Sequence, residues 1–357
     1  MDKEKKFLIV RLSAIGDIVH SLTVAHCLRT FYPNAKIDWV VSDKCSGIIE
    51  NNPLLDNTYV ANISKWRKNW LFSLPEIIKF GKKLQQNNYD YALDVQGLFK
   101  SAIITAISGA KEKIGMADGR EFSTIILDKK VRPKETRPFR NRHIIKRNLD
   151  ILTGSGLVIE NNMEKYTPKA VLPPSGPETI DKINSLLQNI NKTKPNFVFA
   201  PATMWENKHW NIKEWKKLYN LVKNKANVIF TGVEKDLTLI NKIIDTDNKA
   251  FVLAGKTNMK EYIETLRRAD LIISPDSGAS HLGFGVIEDD KPKIFTLFFA
   301  TSKKVYVPLG KYNVGFPKED PCCNPCHKRK CRKKTMECTK FIKAEEVYLE
   351  IQRFFDV

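Results

Sequence analysis

The stretch FLIVRLSAIGDIVHSL at residues 7–22 carries the pattern that decides the fold of this chain. Residues 7–10 are a short apolar run, which predicts a strand buried on both faces of a parallel sheet. A small turn at residues 12–16 ends in Gly16. Asp17 then begins a helix in which apolar residues recur near the 3.6-residue helical period. The stretch therefore predicts a strand, a turn and a helix in immediate succession.

The same alternation of strands and helices continues on both sides of a central linker. The segment LPPSGP at residues 172–177 interrupts the alternation, and its proline and glycine residues are typical of a linker. We predict further strands at residues 36–41, 91–95, 197–200, 227–230, 250–253, 271–273 and 293–297, and further helices at residues 74–84, 100–107, 178–190, 213–222, 236–244, 259–268 and 343–355.

The fold class follows from this alternation. We predict an α/β protein of two doubly wound, Rossmann-like domains facing a cleft, one at residues 1–172 and one at residues 178–340. Residues 341–357 form a final helix that we expect to pack back on the N-terminal domain. Doubly wound sheets bind ligands beyond the carboxyl ends of their strands, so the loops at those ends are the first candidates for a site.

The chain is strongly basic but otherwise has the composition of a globular protein. Its 357 residues include 59 Lys and Arg against 40 Asp and Glu, a formal net charge of +19, and 42% are hydrophobic. This composition excludes wholesale disorder, and no apolar run approaches the roughly 18 residues of a membrane span. The positive charge suggests an anionic partner, with a lysine-rich composition of no functional meaning as the alternative.

Cysteine usage and the N-terminus favour a cytosolic protein. Seven cysteines are present, and five of them lie between residues 322 and 338, which does not fit the disulfide framework of a small secreted domain. The N-terminus has no recognisable signal cleavage site. Cys323 and Cys326 have the spacing of metal ligands, so with Cys331 and Cys338 they form a candidate structural zinc site. Free thiols in a basic loop are the alternative.

Two segments after predicted strands could bind the diphosphate of a nucleotide. Residues 274–281 combine small residues with the start of a helix, whose free N–H groups and dipole attract anions. In residues 203–210, Lys208 stands between two tryptophans as a point charge suited to a diphosphate. The turn at residues 13–17 has the same strand-to-helix character. Ordinary helix caps and a solvated lysine are the alternatives.

A second group of polar and basic residues belongs to the first predicted domain. Residues 94–101 follow a predicted strand and contain Gln96 and Lys100, residues 64–70 add Lys65, Arg67 and Lys68, and Arg120 stands after Gly119. Such residues could bind a ligand rich in carboxylates or phosphates. A solvated basic face is the alternative reading of this charge.

In combination these motifs resemble glycosyltransferase family 9, the bacterial lipopolysaccharide heptosyltransferases. The motifs are RLSAIGDIVH at residues 11–20, KIDWVV at 36–41, WRKNW at 66–70, DVQGLFKS at 94–101, KHW at 208–210 and DSGASH at 276–281. The motifs of the first domain are most similar to heptosyltransferase I, whereas the cysteine-rich tail is more similar to that of heptosyltransferase II and of other family 9 members. The resemblance implies a glycosyltransferase B fold and inverting transfer of L-glycero-D-manno-heptose from ADP-heptose to the Kdo sugar of Kdo–lipid A.

The resemblance also implies roles for individual residues. Asp17 would be the general base. The donor side would comprise Thr203, Lys208, Asp236, Asp276, Ser277, Gly278 and His281, with Asp236 on the adenosine ribose, and the acceptor side would comprise Ser13, Gly16, Lys65, Arg67, Lys68, Gln96, Lys100 and Arg120. No D-x-D-like motif stands out, so we expect neither a catalytic metal nor another cofactor in the chemistry.

The implied acceptor would explain the charge, because it is an anionic lipid at the cytoplasmic face of the inner membrane. Residues 129–147, with nine Lys and Arg against one Glu, are a candidate membrane-facing loop. Three alternatives remain open: another family 9 enzyme such as heptosyltransferase II, a sugar-nucleotide epimerase on the same architecture, and a basic nucleic-acid-binding protein. We expect no nucleic-acid partner, because no RNA-recognition or zinc-finger pattern is present.

Overall fold

The computed structural model of the chain describes residues 4–134, 142–245, 247, 249–319 and 325–357. The chain divides into two compact units, Met1–Pro174 and Ser175–Val357. The division lies inside the segment 172–177 that the sequence analysis identifies as a linker. Each unit contains a six-stranded parallel sheet with helices between its strands. The predicted fold class, two doubly wound α/β domains, is confirmed.

The sheet of the N-terminal unit reverses its direction of winding next to its first strand. Its strands are β1 (Lys6–Val10), β2 (Lys36–Ser42), β3 (Asn57–Ala61), β4 (Tyr91–Asp94), β5 (Glu112–Met116) and β6 (Lys129–Val131). They lie in the order β3-β2-β1-β4-β5-β6, all parallel. The winding changes direction between β1 and β4, which is the topological switch point of the sheet.

Six helices accompany this sheet. They are α1 (Ile15–Phe31), α2 (Ile63–Lys68), α3 (Trp70–Gln85), α4 (Phe99–Ile107), α5 (Ile144–Gly154) and α6 (Glu160–Met163). Helix α1 packs on α5, and α2, α3 and α4 form a second group in which α3 packs on both of the others. Residues 7–10 of β1 are completely buried, as the apolar run predicts for a strand covered on both faces.

The C-terminal unit repeats this architecture. Its strands are β7 (Asn196–Phe199), β8 (Asn227–Phe230), β9 (Phe251–Val252), β10 (Leu271–Pro275), β11 (Lys293–Leu297) and β12 (Val314–Phe316). Their order is β12-β11-β10-β7-β8-β9, so the switch point lies between β10 and β7. The helices are α7 (Pro177–Leu186), α8 (Ile212–Val222), α9 (Leu237–Ile244), α10 (Met259–Arg267), α11 (Gly278–Gly285), α12 (Lys303–Tyr306), α13 (Cys338–Phe341) and α14 (Ala344–Gln352).

The last helix packs on the C-terminal unit, where the sequence analysis expected it to pack on the N-terminal domain. Ala344, Val347 and Ile351 of α14 are fully buried in a cluster that contains Trp210 and Trp215. The indole N–H of Trp210 donates to the carbonyl just before this helix, that of residue 342, at 2.9 Å. The physical reason is that the apolar face of α14 completes the core beside α8. Within the described residues, no helix has the length and hydropathy to cross a bilayer.

Candidate active site

Polar loops follow the strands on either side of each switch point. In the N-terminal unit, residues 11–14 follow β1 and residues 95–98 follow β4, its neighbour in the sheet. In the C-terminal unit, residues 200–211 follow β7 and residues 276–277 follow its neighbour β10. Because ligands of doubly wound sheets bind beyond these strand ends, both loop pairs are candidate sites.

Asp17 lies in the first turn of α1, with its side chain 40% exposed. Oδ2 of this carboxylate is 2.8 Å from Nη2 of Arg11 and accepts a longer hydrogen bond, at 3.4 Å, from the N–H of Ala14. Oδ1 accepts no hydrogen bond from any residue that the structure describes. One carboxylate oxygen is therefore held in place, while the other can accept a proton from a bound hydroxyl group.

Arg11 is the residue that orients Asp17, and the sequence analysis did not assign it a role. Its side chain is buried, and Nη1 donates to the carbonyl of Val95 at 2.6 Å, so the loop after β4 holds the guanidinium in place. Charge-assisted bonds of this kind are strong and directional. The sequence could have indicated this role, because an arginine directly after a predicted buried strand is itself expected to be buried. A buried arginine needs an acidic partner nearby.

Asp94 organises the loop after β4. Its Oδ1 accepts the backbone N–H groups of Gln96 and Gly97, both at 2.9 Å, and its Oδ2 accepts the hydroxyl of Ser101 at 3.1 Å. Burial raises the pKa of Asp94, against the lowering effect of these hydrogen bonds. The carboxylate thus fixes both the loop that carries Gln96 and the first turn of α4, which carries Lys100.

Lys100 and Gln96 connect this loop to the one that follows β1. Nζ of Lys100 donates to Oγ of Ser13 at 2.8 Å, and Oε1 of Gln96 accepts the N–H of Leu12 at 2.8 Å. Burial, together with the charge of Arg11, lowers the pKa of Lys100. The structure therefore brings the predicted acceptor residues Ser13, Gln96 and Lys100 together beside the start of α1.

Gly16 and Arg120 belong to the same edge of the N-terminal unit. Gly16 lies within the first turn of α1 and is half-buried. Arg120 is exposed, and its N–H donates to the carbonyl of Gly97 at 2.9 Å. The backbone of Arg120 is therefore tied to the loop after β4, which keeps this cation near the other predicted acceptor residues.

The three predicted cations of α2 have different surroundings. Nζ of Lys65 is 2.7 Å from Oε2 of Glu76 on α3, and hydrogen bonds from Lys65 and Asn62 lower the pKa of Glu76 to about 2. Arg67 and Lys68 are exposed. Lys65 is thus paired within its own unit, which leaves Arg67 and Lys68 as the better candidates for an anionic ligand.

Lys208 is the centre of the candidate site in the C-terminal unit. Its Nζ lies 2.6 Å from Oδ2 of Asp276 and 3.0 Å from the carbonyl of the same residue, and 4.7 Å from the centre of the Trp205 ring. Its side chain is only 12% exposed. Two predicted donor residues from neighbouring strand ends therefore meet directly, and two oxygens of Asp276 hold the ammonium group.

Asp276 accepts hydrogen bonds on both carboxylate oxygens. Nε2 of His281 lies 3.0 Å from Oδ1, and the hydroxyl of Thr301 donates to Oδ2 at 2.5 Å. Burial alone would raise the pKa of Asp276, but the hydrogen bond from His281 and the charge of Lys208 lower it well below its ordinary value. Thr301 was missed by the sequence analysis, although it follows β11, the next strand of the same sheet.

The remaining predicted donor residues lie in the loops, or in the short helical turns that follow them, at this edge of the C-terminal unit. Nε2 of His209 donates to the carbonyl of Thr203 at 3.0 Å, which shapes the loop before α8. Ser277 caps the start of α11 with no hydrogen bond from its side chain to the helix, and Gly278 is the first residue of that helix. Oδ2 of Asp236 accepts the N–H of Val233 at 2.9 Å, so this carboxylate also stabilises its own turn.

The cysteine-rich segment contacts the loop that carries Lys208. Nδ2 of the buried Asn207 donates to the carbonyl of Lys328 at 2.5 Å, and the N–H of His327 donates to the carbonyl of Ala300 at 2.7 Å. The guanidinium carbon of Arg329 lies 5.8 Å from the centre of the Trp205 ring. Residues 327–329 are therefore part of the wall of the candidate site.

The predicted zinc site is not supported by the described part of the chain. Cys326, Cys331 and Cys338 line one cavity of about 190 Å³, but among residues 4–134, 142–245, 247, 249–319 and 325–357 no group of three His, Cys, Asp or Glu side chains could hold a metal ion. Cys323 lies outside the described residues. No two of the described cysteines of this segment, Cys326, Cys331 and Cys338, form a disulfide bond with each other.

Comparison with known proteins identifies relatives over most of the chain. Residues 77–337 match glycosyltransferase family 9 (heptosyltransferase). Lipopolysaccharide heptosyltransferase 1 of Salmonella typhimurium is 26% identical over 326 residues, which cover 90% of this chain and 94% of that protein. E. coli heptosyltransferase WaaC with ADP-2-deoxy-2-fluoro heptose superposes with a TM-score of 0.73 at 22% identity, over 98% of this chain and 99% of WaaC.

A second type of heptosyltransferase is similar in fold to the same degree. The structure of E. coli ADP-heptose lps heptosyltransferase II superposes with a TM-score of 0.75 at 19% identity, over 98% of each chain. Since these identities are low, the superpositions establish a shared fold and do not distinguish between the two types of enzyme.

Proposed function

Because this chain belongs to glycosyltransferase family 9, we propose that it transfers L-glycero-D-manno-heptose from ADP-heptose to Kdo of Kdo–lipid A, with inversion, in lipopolysaccharide inner-core biosynthesis. The observation that carries the proposal is Asp17, a carboxylate with one oxygen held by Arg11 and the other available, at the switch point of the N-terminal sheet. Such a carboxylate is suited to activate an acceptor hydroxyl group.

The proposed mechanism is a single displacement at the anomeric carbon of the donor sugar. Asp17 takes the proton of the acceptor hydroxyl group, whose oxygen forms the new glycosidic bond as the bond to ADP breaks on the opposite face. This corresponds to base activation of the nucleophile in inverting glycoside hydrolysis. The negative charge that develops on the leaving diphosphate is stabilised by Lys208, with the N–H groups at the start of α11. The chemistry requires no cofactor.

The two units contribute different functions in this proposal. The C-terminal unit binds ADP-heptose through Lys208 and the segment at residues 276–281, and Asp236 binds the adenosine ribose. The N-terminal unit supplies Asp17 and binds the acceptor. Ser13, Gln96 and Lys100 support the acceptor role because they lie together beside the start of α1. The exposed cations Arg67, Lys68 and Arg120 are proposed to bind its carboxylate and phosphate groups.

A comparison of two acceptors tests the proposal. We expect the enzyme to release ADP and to form product with ADP-heptose and purified Kdo–lipid A. It should show at least about tenfold lower kcat/KM with an acceptor that already carries the first heptose, since an unfilled or blocked contact costs about 1–3 kcal/mol. The reverse preference would identify a heptosyltransferase II. Product formation without any acceptor would identify an epimerase instead.

Lys208 gives a prediction for the donor side. The substitution Lys208→Met should weaken the binding of ADP at least about tenfold, because a positive charge that contacts a diphosphate contributes about 1.5–3 kcal/mol through charge-assisted bonds. Isothermal calorimetry measures this effect. Lys216→Met is the control, since Lys216 also pairs with an aspartate, Asp245, at 2.8 Å, but on the surface of α8. Equal ADP affinity in wild type and Lys208→Met would remove Lys208 from the donor site.

A lipid-linked acceptor would place the enzyme at a membrane. We propose a cytoplasmic protein that associates peripherally with the anionic inner face of the inner membrane. The described cations of the predicted membrane-facing loop 129–147 support this location only weakly, because several of them have partners. Lys134 pairs with Glu160, and Arg147 lies 2.6 Å from Asp118. Residues 135–141 of this loop lie outside the described part of the chain.

A further inference from the structure

Exposed apolar side chains are concentrated in one region of the N-terminal unit. Of the eleven large apolar side chains exposed in its described residues, nine lie within residues 70–78, 99–103 and 122–125. We refer to the exposed apolar residues of these three segments as the apolar patch. Phe72 is 91% exposed, Phe122 82% and Ile125 73%. Single exposed apolar residues need no explanation, but a cluster of this size indicates an interaction surface.

The three segments are neighbours in the fold. Helix α3 packs on α4, and α4 packs on the short 3-10 helix at residues 123–126. An ideal Cβ on Gly81 of α3 would lie 3.2 Å from Cβ of Ile107 on α4, so the two helices are in close contact. On α3, Leu71, Leu74 and Ile78 have the spacing of one helical stripe, as do Phe99 and Ile103 on α4. The exposed side chains therefore lie on three adjoining elements of the N-terminal unit.

Basic residues surround the apolar patch. The segment from α2 to α3, residues 63–85, contains six Lys and Arg against one acidic residue, Glu76, which pairs with Lys65. Lys79, Lys82 and Lys83 on α3 are exposed. Phe99 also stands directly before Lys100, which contacts Ser13 in the candidate acceptor loop. Apolar side chains bordered by cations match the interface of a bilayer with anionic headgroups.

We propose that the apolar patch is a membrane-binding surface that inserts into the interface of an anionic phospholipid bilayer. The inference deepens the proposed function and rests on it in one respect. The purpose of the membrane contact is to reach a lipid-linked acceptor at the bilayer surface. Charge complementarity favours this occupant over another protein. Aromatic rings such as those of Trp70, Phe72 and Phe122 are suited to the boundary between headgroups and acyl chains.

The test measures binding of the full-length chain to vesicles of phosphatidylglycerol and phosphatidylethanolamine. We expect cosedimentation that weakens at high salt and falls at least about tenfold in the double variant Phe72→Ser, Phe122→Ser, because each aromatic side chain withdrawn from water contributes about a tenfold factor to partitioning. The double variant Ile159→Ser, Leu349→Ser is the matched control, since these residues are 67% and 64% exposed outside the patch. Vesicle binding by the patch variant equal to that of wild type would overturn the inference.

The fluorescence of Trp70 reports its contact with the bilayer directly. This measurement does not rely on comparing the vesicle affinities of wild type and the patch variant. The Trp70 side chain is 62% exposed, whereas Trp39, Trp66, Trp210 and Trp215 are buried. We expect lipids with brominated acyl chains to quench tryptophan emission on binding, and Trp70→Phe to remove most of that quenching. Binding without quenching of Trp70 would contradict the inference.

Two further measurements separate the possible failures. If the patch joins two copies of the chain instead, sedimentation velocity will show a dimer that the patch variant abolishes, without vesicle binding, and the inference is overturned. Turnover with a deacylated, water-soluble acceptor should be equal in wild type and the patch variant, because the patch contacts no reacting group. The wild-type enzyme could instead be inactive on every heptose acceptor while the patch variant still loses vesicle binding. That combination would overturn the proposed function and leave the membrane surface supported.

Discussion

The substitution Asp17→Asn lowers kcat by at least about 100-fold if this carboxylate is the general base, because general-base assistance typically contributes about 10²–10⁴-fold. The amide keeps the shape of the side chain and can still accept the hydrogen bond from Ala14. It has no basic oxygen for the acceptor proton. ADP affinity should therefore change little, and steady-state kinetics with calorimetry of ADP binding separates the two effects.

Asp56 provides a control for this substitution. Its Oδ2 is 2.9 Å from Nη2 of Arg29 and its side chain is 43% exposed, so Asp56 closely matches Asp17 in its distance to an arginine and in its own exposure. Asp56→Asn removes the same charge from the same unit but lies away from the switch point. We expect near-normal kcat in that variant. Near-normal kcat in Asp17→Asn would exclude Asp17 as the base.

The substitution Asp276→Asn should lower the free energy of unfolding by about 3–5 kcal/mol at pH 7. The reason is that Asp276 and Lys208 form a buried pair, and removal of one partner leaves the other charge uncompensated. The loss should also affect His281 and Thr301, which both hydrogen-bond to this carboxylate. Urea denaturation followed by tryptophan emission measures the change, and Asp245→Asn, an exposed aspartate paired with Lys216, should have a far smaller effect.

The difference in stability between wild type and Asp276→Asn should change with pH in a definite direction. The pKa of Asp276 is lowered in the folded state, so its contribution to stability is fully present above the pKa of the unfolded chain, about 4. Below that pH, the unfolded chain binds the proton first, and the contribution is lost as pH falls toward the folded pKa. The stability difference between wild type and Asp276→Asn should therefore shrink between pH 5 and pH 2. A difference that is constant across this range would show that the carboxylate is not stabilised in its charged form.

Local patterns in the sequence were sufficient to predict most of the sheet positions. The run at residues 7–10 is apolar because β1 is covered on both faces, and helix α1 has regular apolar spacing. Strand β6 was not predicted, because its three residues, Lys129–Val131, are too few to show a period and two of them are exposed. Helix α2 was not predicted for a similar reason, since its six residues are mostly polar or charged.

Contacts between distant parts of the chain could not be predicted in this way. The apolar face of α14 shows that the helix is partly buried, but it does not identify the surface that covers it. The hydroxyl of Thr301 reaches Asp276 from 25 positions along the chain, because β10 and β11 are neighbours in the sheet. The cations of residues 64–70 were grouped as one ligand site, yet Lys65 is paired with Glu76, which stands eleven residues further along in the next helix. Such pairings depend on the tertiary arrangement and not on a residue's immediate neighbours.

The packing of α14 sets the limits for anyone who divides this protein into its halves. A fragment that stops at residue 340, the end suggested by sequence alone, would uncover the indole rings of Trp210 and Trp215 and remove the carbonyl of Ile342 that Trp210 needs. Such a fragment would be prone to aggregation, because large aromatic surfaces would face water. A C-terminal half suitable for crystallisation or fragment screening must therefore run from residue 175 to residue 357.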